Sequence, residues 1–138
     1  MSKREKEIYK QYRELNNNGW HVPNTQEILC RANGGSETLK HRVAKTVAAS
    51  FLCDVGYRVH SEVETDDGHE ADVLGYGLED RKPVVIELEN GLTDSVKDRK
   101  LNQYLKGPVS EVFVIDLDNW ENNDPEWLYE YIKDVTGL

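Results

Sequence analysis

Long apolar runs are missing from this sequence: nothing in its 138 residues approaches the roughly 18 to 20 uninterrupted apolar positions of a membrane span. The opening stretch Met1-Ser2-Lys3-Arg4-Glu5-Lys6-Glu7 lacks the apolar region of a signal peptide, so the expectation is a soluble, cytoplasmic protein with no membrane contact. Cysteine is scarce too. Cys30 and Cys53 show neither CxxC spacing nor a cysteine-rich framework, which argues against a disulfide scaffold and a zinc site, and both read as reduced thiols with packing roles. Internal repeats and low-complexity tracts are also absent, and the length is that of one ordinary domain.

Positive charge is in short supply overall, with a net −9 that steers polyanions away. The average conceals an asymmetry. Residues 1–58 carry ten Lys or Arg against six acids, a net +4, which leaves −13 for residues 59–138. A basic first part is compatible with phosphate contact even in an acidic chain.

Periodicity supplies the elements. Lys3 to Leu15 forms a charged helical arm with Ile8, Tyr12 and Leu15 on one stripe, ended by Asn16-Asn17-Asn18-Gly19. A connection follows, with one short helix over Gln26 to Arg31 and a close at Asn33-Gly34-Gly35. Ser36 is placed to cap a long helix with Glu37 in its first turn, and Leu39, Val43, Val47 and Phe51, flanked by Ala44, Ala48, Leu52 and Val55, define its buried face up to Gly56. Tyr57–Thr65 and Glu70–Gly77 read as a hairpin about Asp66-Asp67-Gly68. Pro83–Glu89 is a third strand whose Val84-Val85-Ile86 run suggests burial on both faces. A second long helix is expected from Leu92 to Lys106, then a buried strand over Glu111–Leu117, then a helix opened by Asp124-Pro125.

The chemistry stands at the end of the third strand. A strand covered on both faces should be apolar, yet this one ends Ile86-Glu87-Leu88-Glu89. Carboxylates two residues apart project to one face, roughly 7 Å from each other by strand rise, and the neighbouring strand offers Asp72. Such crowding is costly unless something positive compensates, and Mg²⁺ does so through a few carboxylate oxygens while keeping its remaining waters. Glu37 could reach the same cluster from its helix. Lys97, Lys100 and Gln103 lie on the following helix, where a lysine could meet a phosphate or stand in for a base.

In these residues the chain resembles the PD-(D/E)XK nucleases, whose core has the same α-β-β-β-α-β order as residues 36–117. The family's motif Asp falls on Asp72, its (D/E) on Glu87 and its helical Glu on Glu37, and Lys100-Leu101-Asn102-Gln103-Tyr104 is similar to the Gln-Tyr-containing helix that often follows the motif. Two positions depart: Glu89 stands where the family has Lys, and Ala71 where it has Pro. Some restriction endonucleases of the family carry Glu at that Lys position and still cleave, whereas other relatives with altered motifs have lost catalysis.

The resemblance implies an α/β, restriction endonuclease-like fold with a mixed central sheet flanked by helices, plus N- and C-terminal helices. Residues 1–35 would be an arm and connection, and 36–138 the nuclease domain. It further implies a metal-dependent DNA endonuclease of restriction, resolvase or repair type, with Mg²⁺ or Mn²⁺ held by Asp72, Glu87, Glu89 and Glu37. The catalytic set would be Asp72, Glu87, Glu89, Lys100 and Gln103; DNA is the implied partner, and many relatives of this size act as homodimers. Two rivals remain: an inactive nuclease-fold protein that binds nucleic acid or another protein, and an acidic DNA mimic, for which only the −13 of residues 59–138 speaks.

Blander readings apply to the same residues. The three strand acids could be solvated, Glu37 could be an ordinary first-turn acid, and the basic arm could be a solvated helix. His41, His60 and His69 lack metal-ligand spacing and read as surface or packing histidines. Trp20, Trp120 and Trp127 read as core residues, and Asn33-Gly34-Gly35 has no Walker pattern around it.

Overall fold

Short polar residues start every helix of the computed structural model, which describes residues 1–25 and 37–138. Ser2 caps α1 (Lys3–Asn16) by accepting the Glu5 N–H, Thr38 caps α2 (Leu39–Val55) by accepting the His41 N–H, and Thr93 caps α3 (Asp94–Tyr104) by accepting the Val96 N–H. Asp124 does the same for α4 (Pro125–Thr136), with Pro125 in the first turn as expected. Gly56 ends α2 at φ 119°, its N–H bonded to the Leu52 and Cys53 carbonyls. The expected Ser36 cap, the helix over 26–31, Asn33-Gly34-Gly35 and Cys30 lie outside the described residues. With Thr38 as the cap, Glu37 precedes the helix instead of occupying its first turn.

Among the described residues five strands build one mixed sheet in the order β1 (Trp20–His21), β2 (Arg58–Thr65), β3 (Glu70–Tyr76), β4 (Val84–Glu89), β5 (Glu111–Asp116). From β1 to β4 successive strands pair antiparallel, and β5 lies parallel to β4 after the α3 crossover. The hairpin and the buried central strand match the sequence reading; β1 was not foreseen. Two residues give no period to read, and Trp20 and His21 become a strand only by pairing with Thr65 and Glu64.

The sheet separates two cores. On one side Ala44, Val47, Ala48, Phe51 and Leu52 of α2 and Leu128 and Ile132 of α4 cover Val59, Val73, Val84, Ile86 and Ile115. On the other, Leu15 of α1, Trp20, Val22 and Tyr104 of α3 cover Val63, Leu74, Tyr76, Val85 and Val112. The N-terminal segment is therefore part of the second core. Buried Gln11 ties it down by donating to the Leu78 and Arg81 carbonyls and accepting the Gly77 N–H. Gly77 itself, at φ 95°, lets α1 approach, since a Cβ there would lie 2.7 Å from Ile8 Cγ1.

Two details of the sequence reading are corrected. Leu39, placed on the buried face of α2, is 67% exposed because it opens the helix beyond the sheet's cover. Cys53 is exposed instead of packed. Trp20 and Trp120 are buried as expected, their indole N–H groups donating to the Lys106 and Asp124 carbonyls. Among the described residues no helix is long and apolar enough to cross a membrane.

Candidate functional site

The ladder between β3 and β4 runs through Val73↔Ile86, Leu74↔Val85 and Gly75↔Val84 and then stops. Continuing that register would set Asp72 against Glu87. Side chains take over from the backbone there: the Leu88 N–H donates to Asp72 Oδ2 at 2.8 Å, and the Asp72 N–H donates to Glu87 Oε2 at 2.6 Å. Each carboxylate thereby satisfies a backbone donor that the opened ladder would leave without a partner, through a charge-assisted bond. β4 stays paired to β5 as far as Glu89↔Asp116. The opening therefore lies on the β3 side of β4, and two carboxylates from adjoining strands fill it.

From α3, Lys100 reaches the same place. Its Nζ lies 3.1 Å from Glu87 Oε1 and 3.0 Å from Glu89 Oε1, so one ammonium bridges both acids of the Glu87-Leu88-Glu89 run. Tyr104, one turn further along α3, donates to the Glu70 carbonyl at 2.7 Å and fastens the helix to the start of β3. Gln103 is half-buried on α3 and, among the described residues, makes no hydrogen bond within this cluster; Lys97 is exposed.

From α2 comes a second set. Lys45 Nζ donates to Glu37 Oε1 at 2.5 Å and to Glu62 Oε1 at 2.9 Å, with its side chain 0% exposed. The same Glu37 oxygen lies 3.0 Å from His41 Nδ1, and His41 Nε2 lies 3.5 Å from Asp72 Oδ2. Glu37 thus joins Asp72 through an imidazole instead of meeting it directly.

The backbone explains why two faces of the sheet converge here. Residues two or four apart in a regular strand share a face, yet Val59 belongs to the α2 and α4 core and Val63 to the opposite one; Val73 and Ala71 divide likewise. The change falls at Glu62, which holds a left-handed φ of 54°, rare for a residue with a Cβ, and which stands level with Asp72 between the pairs Ser61↔Val73 and Val63↔Ala71.

Electrostatics follow from burial. Glu87 is 1% exposed, and its desolvation, with the nearby Asp72 charge, pushes its carboxyl up to about 8 despite Lys100. His41 is pushed up to about 9, first by Asp72 and then by Glu37, against the opposing effect of burial. Burial pulls the Lys100 and Lys45 ammonium groups down, but their carboxylate partners more than offset it, so both lie above the ordinary lysine value. Tyr104 is raised by burial and by Glu87.

No protein-family model, no curated protein and no solved structure matches the chain. What the site can do must follow from its own chemistry. An open groove of ≈ 310 Å³ runs along it, lined by Glu37, His41, Glu62, Glu70, Asp72 and Asn90. A groove of ≈ 420 Å³ between α2 and α4, lined by Thr46, Val47, Ser50 and Tyr129 among others, contains none of the site's residues.

Among the described residues, no group of three or more His, Cys, Asp or Glu side chains is arranged to hold a metal ion. The donors that the opened ladder brings together are Asp72 and Glu87, while Glu89 is drawn to Lys100, and Glu37 to Lys45 and His41. Two carboxylates fit a Mg²⁺-type ion, which keeps several waters and takes its other ligands from substrate phosphates, and do not fit a closed all-protein cage.

Sequence reasoning missed His41, Lys45 and Glu62. Glu37, His41 and Lys45 recur every four residues, the spacing that aligns side chains along one helix face, and that signal was available. Nothing in the local sequence marks Glu62 as left-handed.

Proposed function

We propose that the chain is a metal-dependent DNA endonuclease of the PD-(D/E)XK type, hydrolysing phosphodiester bonds at the opened end of β3 and β4. One observation carries this reading: Asp72 and Glu87 leave the ladder together, each bonded to the other strand's backbone, and a lysine ammonium spans Glu87 and Glu89. The fold supports it with a mixed α/β sheet whose elements from α2 to β5 follow the α-β-β-β-α-β order along the chain.

In this reading Asp72 and Glu87 would hold Mg²⁺ or Mn²⁺. Such an ion, when bound, supplies an activated water and neutralises charge growing on the phosphate. Burial of Glu87 disfavours its charged form, and a cation in the gap compensates that penalty. Lys100 reaches the side-chain end of residue 89, where the family's lysine would stand, so an ammonium is present there although the residue is Glu. It would meet a phosphate oxygen as a charge-assisted donor. Glu89 holds that ammonium in place, and His41 sets the α2 side of Asp72.

Cleavage of plasmid and branched DNA with Mg²⁺ or Mn²⁺, compared between the wild type and Asp72→Ala, tests the proposal. The expected outcome is cutting by the wild type alone; an inert wild type that also binds no metal by calorimetry rejects it. The bridge of Lys100 across both acids also favours a second reading, a non-catalytic nuclease-fold binder whose acids are neutralised internally. Duplex binding that falls steeply with salt, without cleavage, would carry that one.

A further inference from the structure

We propose that Lys45 is a positioning residue for Asp72: its buried ammonium holds Glu62 and Glu37, the two acids through which the strand and the imidazole flanking Asp72 are set. Its consequence for cleavage rests on the nuclease reading above; its geometric part does not.

A fully buried ammonium is costly, because the hydration it loses is recovered only with good geometry to opposite charge. Lys45 occupies a face of α2 otherwise made of Ala44, Val47, Ala48, Phe51 and Leu52, where an apolar side chain would pack. The lysine is kept there by two short contacts, to Glu37 at 2.5 Å and to Glu62 at 2.9 Å.

Both contacts lead to Asp72. Through Glu62, Lys45 holds the residue whose left-handed backbone accompanies the change of face, level with Asp72. Strained backbone of this kind persists when its surroundings over-determine it, and a buried ion pair does so. Through Glu37, the same ammonium fixes the acid that faces His41 Nδ1 at 3.0 Å, leaving Nε2 towards Asp72 Oδ2. That oxygen is the one accepting the Leu88 N–H, so the imidazole arm ends at the atom that closes the β3 to β4 gap, while the Glu62 arm sets the strand alongside it.

The backbone amide protons of Leu88 and Asp72 report this geometry in the full chain, without metal or substrate, because each donates to a site carboxylate. In Lys45→Met both resonances are expected to lose their downfield displacement, while those of Val85 and Val112 in the paired part of the sheet stay in place. In the cleavage assay kcat is expected to fall about 10- to 100-fold, as for other residues that orient ligands indirectly, with KM unchanged. Lys45→Met also removes one cation from two buried acids, so Lys45→Met combined with Glu62→Gln is measured alongside it. This double variant is expected to recover thermal stability without recovering the amide shifts or kcat.

Unmoved Leu88 and Asp72 resonances in both variants, or kcat returning together with stability in the double variant, would overturn the role assigned to Lys45. Should the wild type neither cut nor bind metal, the nuclease reading falls, and the amide shifts alone decide: displaced signals uphold the positioning role and unmoved signals remove it. Should Lys45→Met not fold, the double variant carries the same measurements.

Discussion

Two lysines serve the acids of this site from opposite sides, and their exposure to solvent distinguishes them. Lys100, on α3, bridges Glu87 and Glu89 with 17% of its side chain exposed, whereas Lys45, on α2, bridges Glu37 and Glu62 with none. Each makes two contacts, at 3.1 and 3.0 Å for Lys100 and at 2.5 and 2.9 Å for Lys45. The physical difference is reversibility: a partly exposed ammonium can exchange a carboxylate for a phosphate or water, while a fully buried one has no such exchange open to it. Under the proposed nuclease reading, the same ion-pair chemistry suits substrate contact on one side of the sheet and fixed architecture on the other.

Substituting each lysine by methionine is the sharpest way to break this contrast. Lys45→Met is expected to cost about 3 to 5 kcal/mol of stability, the penalty for stranding buried charge, read by urea denaturation. Lys100→Met is expected to lower cleavage about 100-fold, comparable to about 2.7 kcal/mol of transition-state stabilisation, while costing less stability than Lys45→Met, because Glu87 can take up a proton when its cation is removed. Comparable stability losses in the two variants would erase the distinction.

Stability against pH separates the two sides by window. Both His41 and Glu87 have raised values in the folded chain, so the folded state binds more protons than the unfolded one and stability falls as pH rises. For Glu87 the contribution is fully present below its ordinary value of 4.5 and is lost as pH rises through about 8. For His41 it is present below 6.5 and lost through about 9. His41→Gln should flatten the upper window by about 1 to 2 kcal/mol, a figure reduced for its partial exposure, and Glu87→Gln should flatten the lower one. Denaturation midpoints across the range check both.

The smallest expected effect tests the edge of the site. Gln103→Ala, on the same helix as Lys100 but outside its hydrogen-bonded cluster, should reduce cleavage less than Lys100→Met does. An equal loss would extend the reactive surface along α3.

A second histidine behaves oppositely. His60 is buried against Tyr76, and burial, helped by Arg58, lowers it to about 4. A depressed value means stability that is present above 6.5 and lost as pH falls through about 4, so acid should weaken the sheet around β2 independently of the site.

Much of the architecture was legible from local rules. Asp66-Asp67-Gly68 is a turn whatever surrounds it, Val84-Val85-Ile86 must be buried on both faces, and Asp124-Pro125 starts a helix by capping and a fixed φ. The acids Glu87 and Glu89 stood out because a buried strand has no local reason to carry them, and Lys100 was within reach by its place on the next helix. Less legible were β1, which exists only as a partner of β2, and the exposure of Leu39 and Cys53, which depends on where α2 leaves the sheet.

Taken alone, the sequence determined what each segment could be: helix, strand or turn, with an excess of acid at one strand end. Only the tertiary structure decided that β3 parts from β4 at Asp72, that Glu62 turns left-handed beside it, and that Lys45 is buried instead of solvated. Secondary structure follows from contacts within a few residues, which spacing records. The energy of a buried charge depends on which distant groups surround it, and no local spacing carries that information.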